Sequence, residues 1–165
     1  MNPSGMSDGA PVVLWRWRGG ELGAPARVRA VLGYALSGLG YDGESVSDAV
    51  LAVSELVANA IEHAVGPYEL RLRRTALDVI CEVVDHDPRI PEIPPFAVGA
   101  LFAPVEGDRG GGLEVLCALL SERGRGLHIV RELTGGAWGF RRLLGTKAAW
   151  IALPLPAIGE DWFGE

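Results

Sequence analysis

The chain has 165 residues, of which 48% are hydrophobic and 22% are charged, so it is long enough for one domain with a core and too short for a second full domain. Its formal net charge of −6 leaves no basic surface for phosphate backbones, which argues against direct nucleic-acid binding. Any anionic ligand must therefore bind locally, through a few placed groups.

Three features of the sequence bear on its compartment. The stretch 1–11 contains glycine, serine and proline without a cationic run that leads into an apolar one, so we expect no signal peptide. No later segment approaches transmembrane length. Cys81 and Cys117 each lie in an apolar run and have no partner at metal-ligand spacing, as is typical of buried, reduced thiols. A cytoplasmic protein outside the membrane is predicted.

Hydrophobic periodicity predicts a strand, two helices and a hairpin in the first half of the chain. Strands are indicated by β-branched and aromatic residues, and helices by apolar residues that recur at intervals of three and four. The second helix has the clearest stripe, and Gly66-Pro67 ends it. In order, the predicted elements are a strand over 12–18, helices over 24–39 and 44–64, and strands over 68–74 and 77–84.

The second half begins with a long loop. Five prolines and several glycines over 86–123 disfavour regular structure, and we interpret this range as a lid-like loop that contains one short helix at 113–121. A helix over 127–133 and strands over 138–143 and 146–153 follow. With flexible tails at 1–10 and 156–165, the domain over 11–155 is predicted to be an α+β two-layer sandwich, a mostly antiparallel sheet with helices on one face.

Two similar glycine-containing segments lie fourteen residues apart, over 109–116 and 123–130. Either can present backbone amides to a phosphate. Only the second leads through one helix directly into the closing strand pair, so we assign the phosphate site to it and the first copy to the lid.

Glu55 and Asn59 are four residues apart on the second predicted helix, so their side chains share one line along it and can share a metal or a water. Both point away from the centre of the apolar stripe, and solvated residues with no function are the commoner explanation for such a pair. Asn is a poor helix former in a helix interior, however, which favours the functional interpretation slightly.

The other candidate residues are also ambiguous one at a time. Asp85 ends an apolar strand and can accept a hydrogen bond from the exocyclic amine of adenine, or simply cap a turn. Gly124 and Gly126 precede the predicted helix, where bare amides and the positive helix end suit an anion, although an ordinary turn needs glycine too. Gly145 fits a hairpin turn without any ligand.

The joint order of these residues resembles one family. The segment 54–60, with His63, is similar to the N box of the GHKL (Bergerat-fold) ATPases, specifically of their anti-sigma factor serine kinase branch. The stretch 83–85 followed by Pro88 resembles the G1 box of that branch, 124–127 its G2 box, and 145–147 with Trp150 its G3 turn. Order and spacing agree from Val12 to Leu155.

The resemblance implies ATP and Mg²⁺ as cofactors. It makes Asn59 the residue that holds the magnesium, and Glu55 the general base that activates a serine hydroxyl or water. Oxygen donors suit magnesium, and phosphoryl transfer depends mainly on positioning and charge neutralisation.

The resemblance also assigns the rest of the nucleotide site. Asp85 would read adenine, the amides from Gly124 through Gly126 to Leu127 would hold phosphate, and Thr146 would fix the base or a bridging water. The implied partners are an antagonist protein, a sigma factor or both, and relatives of this kind often form homodimers.

The chain departs from the family pattern after Asp85. Where many relatives have Asp-x-Gly-x-Gly, it has Asp85-His86-Asp87-Pro88-Arg89, and the stretch 96–123 is longer than the lid expected in this branch. Two hypotheses therefore stand: a serine kinase, favoured by the retained Glu55, and a non-catalytic, nucleotide-responsive binding module, favoured by the altered G1 region.

Overall fold

The structure is a computed structural model that describes residues 9–91 and 122–157, with the backbone alone for 122–125. Its strands are β1 (Val12–Trp17), β2 (Tyr68–Arg74), β3 (Asp78–Asp85), β4 (Trp138–Arg142) and β5 (Lys147–Pro154), and its helices are α1 (Ala24–Gly38), α2 (Gly43–His63) and α3 (Glu122–Thr134). Except at α3, the predicted ends of these elements differ from the observed ends by at most one residue. The predicted helix over 113–121 and most of the predicted lid lie outside the described residues.

The five strands form one antiparallel sheet in the order β1-β2-β3-β5-β4. The helices lie on one side of it, which confirms the predicted α+β two-layer architecture. On β2, alternate side chains separate the two faces: Tyr68, Leu70 and Leu72 join the core under the helices. Arg71 and Arg73 take the intervening positions, as the period of two of a strand requires.

Helix α2 is the central element of the helical layer. Asp42 caps its first turn by accepting a hydrogen bond of 2.7 Å from the Ser45 backbone N–H. Its apolar stripe is buried between the sheet and the neighbouring helices, and the buried residues are Ala49, Ala52, Val53, Leu56, Val57 and Ala60. Because these positions recur at three and four, the residues on the flank of the stripe, Glu55 and Asn59, face α3 and one end of the sheet.

Helix α3 begins five residues earlier than the sequence predicts. Gly124 and Gly126 lie inside the helix, whereas we expected them to precede it. Each glycine costs about 1 kcal/mol relative to alanine in a helix interior, so the sequence argues against helix there. Tertiary packing outweighs that cost, because Leu127 and Val130 of this helix are buried in the core.

None of the helices in the described parts of the chain has the length and apolarity needed to cross a membrane.

Candidate functional site

A cavity of about 530 Å³ lies between α2, α3 and the end of the sheet where β3 stops and β5 begins. This volume is within the range usual for small-molecule sites. Its lining comes from all of these elements and from the turn after β3: Leu56, Asn59, Ala60, His63, Ala64, Asp85, Asp87, Arg89, Pro91, Leu127, Phe140, Lys147 and Ala149. Three of the residues singled out from the sequence, Asn59, Asp85 and Leu127, therefore face one space.

The two polar residues of α2 occupy different places at this site. Asn59 lines the cavity, and Glu55 lies one helical turn away without lining it. Both are half-buried, whereas the helical pattern predicted exposed positions. The difference arises because α3 packs against this flank of α2, which α2's own periodicity does not reveal.

Glu55 is in close contact with α3 at Gly126. A Cβ atom at residue 126 would lie 2.8 Å from the Glu55 carboxylate oxygen Oε2, and 3.7 Å from its Cβ. The carboxylate therefore occupies the space that a side chain at 126 would fill. Glycine in the middle of this helix leaves room for Glu55, and that role differs from the loop function expected from the sequence.

The start of α3 decides which of the predicted phosphate-binding amides lack a partner within the helix. Gly124 lies in the first turn, where backbone N–H groups have no partner within the helix. Gly126 is four residues beyond Glu122, so helix geometry directs its N–H to the Glu122 carbonyl. Within the described residues of this helix, the amides of the first turn are the ones that lack a helical partner.

Asp85, the last residue of β3, forms a buried ion pair with Lys147, the first residue of β5. The two residues are direct partners in the antiparallel ladder. Lys147 Nζ lies 3.0 Å from Asp85 Oδ1 and 3.0 Å from Oδ2, and it donates a 3.0 Å hydrogen bond to the Asp87 carbonyl oxygen. Only 2% of Asp85 and 6% of Lys147 is exposed, so both charged groups are buried. We call the part of the cavity that they line its closed end.

The turn after β3 is held by side-chain hydrogen bonds. Asp85 Oδ1 accepts a hydrogen bond of 2.8 Å from the Asp87 N–H, and Asp87 Oδ1 accepts one of 3.0 Å from the Arg89 N–H. Arg89 also donates from its guanidinium to both Asp87 carboxylate oxygens. These hydrogen bonds from Arg89 hold the pKa of the Asp87 carboxyl well below its usual range.

His86 joins the same turn to the segment between α2 and β2. Its backbone N–H donates to the Val65 carbonyl at 2.8 Å, and its Nδ1 lies 2.7 Å from the Pro67 carbonyl oxygen. Since a carbonyl can only accept, Nδ1 carries the proton in this contact. The turn after β3 is thus bonded to the segment that follows α2.

Thr146 does not line this cavity. It lies in the turn between β4 and β5, where its carbonyl accepts a hydrogen bond of 2.9 Å from the Leu143 N–H. The next residue, Lys147, is the one whose side chain reaches the cavity.

From the sequence, Lys147 was only part of the G3-like turn and had no predicted role, although a signal for one was present. On β5, Lys147 alternates with Ala149 and Ile151, which belong to the buried face, so a strand from 147 places the lysine on the helix side. Phe140 on β4 also lines the cavity, and no role was predicted for it from the sequence. His63 was noted only as part of a motif, and it too lines the cavity.

Residues 21–135 match the histidine kinase-like ATPase domain family. No curated protein matches the chain significantly. The matched range contains α1, α2, β2, β3 and α3, and with them Glu55, Asn59 and Asp85. It covers well over half of the chain, and the sheet with helices on one side agrees with this fold. The chain therefore belongs to the histidine kinase-like ATPase family, a GHKL-type domain, and this membership implies that it binds ATP.

Proposed function

We propose that the chain is a magnesium- and ATP-dependent serine kinase that regulates transcription by phosphorylating an antagonist protein, by sequestering a sigma factor, or by both. The observation that carries the proposal is the meeting of Asn59 from α2 and Asp85 from β3 at one cavity, with Glu55 one turn from Asn59. The family match supports the nucleotide; the identity of the protein partners rests on the resemblance of the sequence to the anti-sigma kinase branch.

The donor set is compatible with magnesium. Among residues 9–91 and 122–157, no group of three or more acidic, histidine or cysteine side chains is placed to hold a metal alone. Magnesium in nucleotide sites needs no such group, because one or two protein oxygens and the phosphates suffice. The Asn59 amide oxygen is a suitable donor at the cavity wall. When bound, the ion would neutralise charge on the phosphates.

Glu55 is the base in this proposal. In the transfer, the serine oxygen bonds to the γ-phosphorus, the bond from that phosphorus to the bridging oxygen breaks, and ADP leaves. The Glu55 carboxylate accepts the proton of the serine hydroxyl. Its half-buried position against Gly126 limits the directions in which the carboxylate can point, which suits a positioned base.

Phosphate binding is assigned to the first turn of α3, including Gly124. The free amides there and the positive helix end favour negative charge. Leu127, which lines the cavity beside them, supplies apolar contact for the nucleotide. A role for Thr146 is retained only as support of the turn that presents Lys147.

The alternative function is a non-catalytic module that responds to nucleotide and acts by contact with its partner. The feature that favours it is the altered G1 region, where the side chains of Asp87 and Arg89 hold the turn after β3. Both functions use Asn59 and Asp85, so only Glu55 separates them.

The separating experiment incubates the protein with Mg²⁺-ATP and antagonist proteins encoded near its gene, and measures phosphoserine. We expect transfer by the parent chain. Glu55→Gln should lower the transfer rate about 100-fold or more while ATP affinity stays nearly unchanged, because a general base acts in the transition state. Glu44→Gln, at an exposed position in the first turn of the same helix, is the matched control and should transfer at the parental rate. No transfer by the parent to any antagonist would favour the binding module.

A further inference from the structure

The ion pair at the closed end of the cavity retains hydrogen-bonding capacity. The Lys147 ammonium has three protons. Within the described part of the chain it donates two hydrogen bonds, to Asp85 Oδ1 and to the Asp87 carbonyl, which leaves the third proton for a ligand. On Asp85, Oδ1 accepts hydrogen bonds from Lys147 and from the Asp87 N–H, whereas Oδ2, 3.0 Å from Lys147 Nζ, accepts none from residues 9–91 and 122–157. The pair therefore offers one acceptor and one donor side by side.

A donor beside an acceptor is the pattern that adenine presents on its pairing edge. The exocyclic 6-amino group donates, and the adjacent ring nitrogen N1 accepts. We propose that Lys147 is a base-reading residue: its Nζ donates to N1 while Asp85 Oδ2 accepts from the 6-amino group. This inference rests on the proposed ATP-binding function and deepens it, because it names the group that recognises the second atom of the base.

The burial of Lys147 and Asp85 makes the site selective for adenine. Lys147 and Asp85 are almost completely enclosed, so a base that fails to pair with them leaves buried polar atoms unsatisfied. A base with a carbonyl at position 6 and N1–H, in the same orientation, would set oxygen against the Asp85 carboxylate and a proton against the ammonium. Both contacts would be repulsive, so Lys147 also excludes inosine and guanosine nucleotides in that orientation.

Lys147 has a simpler structural explanation, in which it only neutralises Asp85. The two explanations differ in one respect: a purely neutralising lysine makes no contact with N1. Replacing N1 by C–H in the ligand, on the parent chain and on a variant without the lysine, therefore separates them.

The test is calorimetric titration of the intact chain with Mg²⁺-ATP and with Mg²⁺-1-deaza-ATP, which lacks the N1 acceptor. We expect the analogue to bind about ten- to a hundredfold more weakly, the usual effect of losing a hydrogen bond to a charged group. In Lys147→Met the two ligands should bind equally. Arg142→Met is the control, since Arg142 is the exposed ladder partner of Lys147 on β4, and the parental difference should persist there.

Equal binding of ATP and 1-deaza-ATP by the parent would overturn the role of Lys147 and leave the proposed function intact. The same holds if Lys147→Met still discriminates between the ligands. If neither ligand binds the parent, the ATP-binding function itself fails, and the role of Lys147 fails with it. Should Lys147→Met not fold, Lys147→Leu takes its place, and equal binding of the two ligands by the parent overturns the role without any variant.

Discussion

The Glu55 carboxylate on α2 fills the space beside Gly126 on α3, where Oε2 lies 2.8 Å from the position that a Cβ would take. The atoms of Glu55 nearer the backbone are 3.7 Å or more from that position, so only the end of a flexible side chain stands in the way. A methyl group at 126 would therefore displace the carboxylate and leave the helices in place.

Gly126→Ala separates stability from chemistry for this reason. Alanine is favoured over glycine by about 1 kcal/mol inside a helix, so the free energy of unfolding should stay the same or rise by up to that amount. The transfer rate should fall at least tenfold if Glu55 is the base, since a base that is moved loses its alignment. Denaturant unfolding and the phosphoserine assay measure the two effects.

Gly33→Ala on α1 is the control for that substitution. A Cβ at 33 would make only ordinary contacts of 3.9 Å with Val46 and Val50, away from the cavity. The helix-propensity gain should appear there without loss of transfer. If Gly126→Ala transfers phosphate as fast as the parent, the Glu55 position is not critical.

The Asp85–Lys147 pair predicts a non-additive effect on stability. Lys147→Met leaves a carboxylate buried without a counter-charge, and breaking a buried pair in this way typically costs about 3–5 kcal/mol. Asp85→Asn combined with Lys147→Met removes both charges and should recover much of that loss. Urea denaturation of the parent, the single variants and the double variant completes the cycle.

The pair between Arg16 and Glu69, which Arg71 also contacts, is the comparison at the surface. The Arg16 side chain is 68% exposed, so Arg16→Met should change the free energy of unfolding by about 1 kcal/mol or less. If Lys147→Met lowers the free energy of unfolding no more than Arg16→Met does, water screens the Asp85–Lys147 pair.

Cys81 should be unreactive in the folded chain. Burial, with a smaller contribution from the Glu82 carboxylate, raises the pKa of the Cys81 thiol from 9.0 to about 12. The unfolded chain gives up the thiol proton near pH 9, whereas the folded chain keeps it until about pH 12. The free energy of unfolding should therefore be unaffected by this group below pH 9 and should fall as pH rises from 9 toward 12.

Thiol labelling in a Cys117→Ser background measures this behaviour, since the chain has two cysteines and the variant leaves one. At pH 8, labelling of Cys81 should be limited by unfolding and become immediate in denaturant. Rapid labelling of the native protein would show that β3 opens locally or that Cys81 is not enclosed.

Local pattern predicted most of this fold, because each element carries its own periodicity. Helix α2 has an apolar stripe, and β2 alternates between core and outer residues, so both could be located within a residue. The start of α3 could not, since glycine disfavours helix locally and its advantage, room for Glu55, arises only when α2 packs beside it.

Only part of the site could be predicted from the sequence. Asn59, Asp85 and Leu127 could be singled out from motif order, and they line one cavity. That Asp85 would be paired with Lys147 depends on the register between β3 and β5, which joins residues 62 positions apart in the chain. No local pattern contains that register.

ATP binding at the cavity is the central claim, and titration calorimetry with ATP in the presence and absence of Mg²⁺ tests it most directly. We predict one site per chain, with tighter binding when Mg²⁺ is present. In Asn59→Ala the magnesium dependence should disappear while the fold persists, because alanine is a better helix former than asparagine. Absence of any binding at millimolar ATP with Mg²⁺ present would contradict the assignment of this cavity as a nucleotide site.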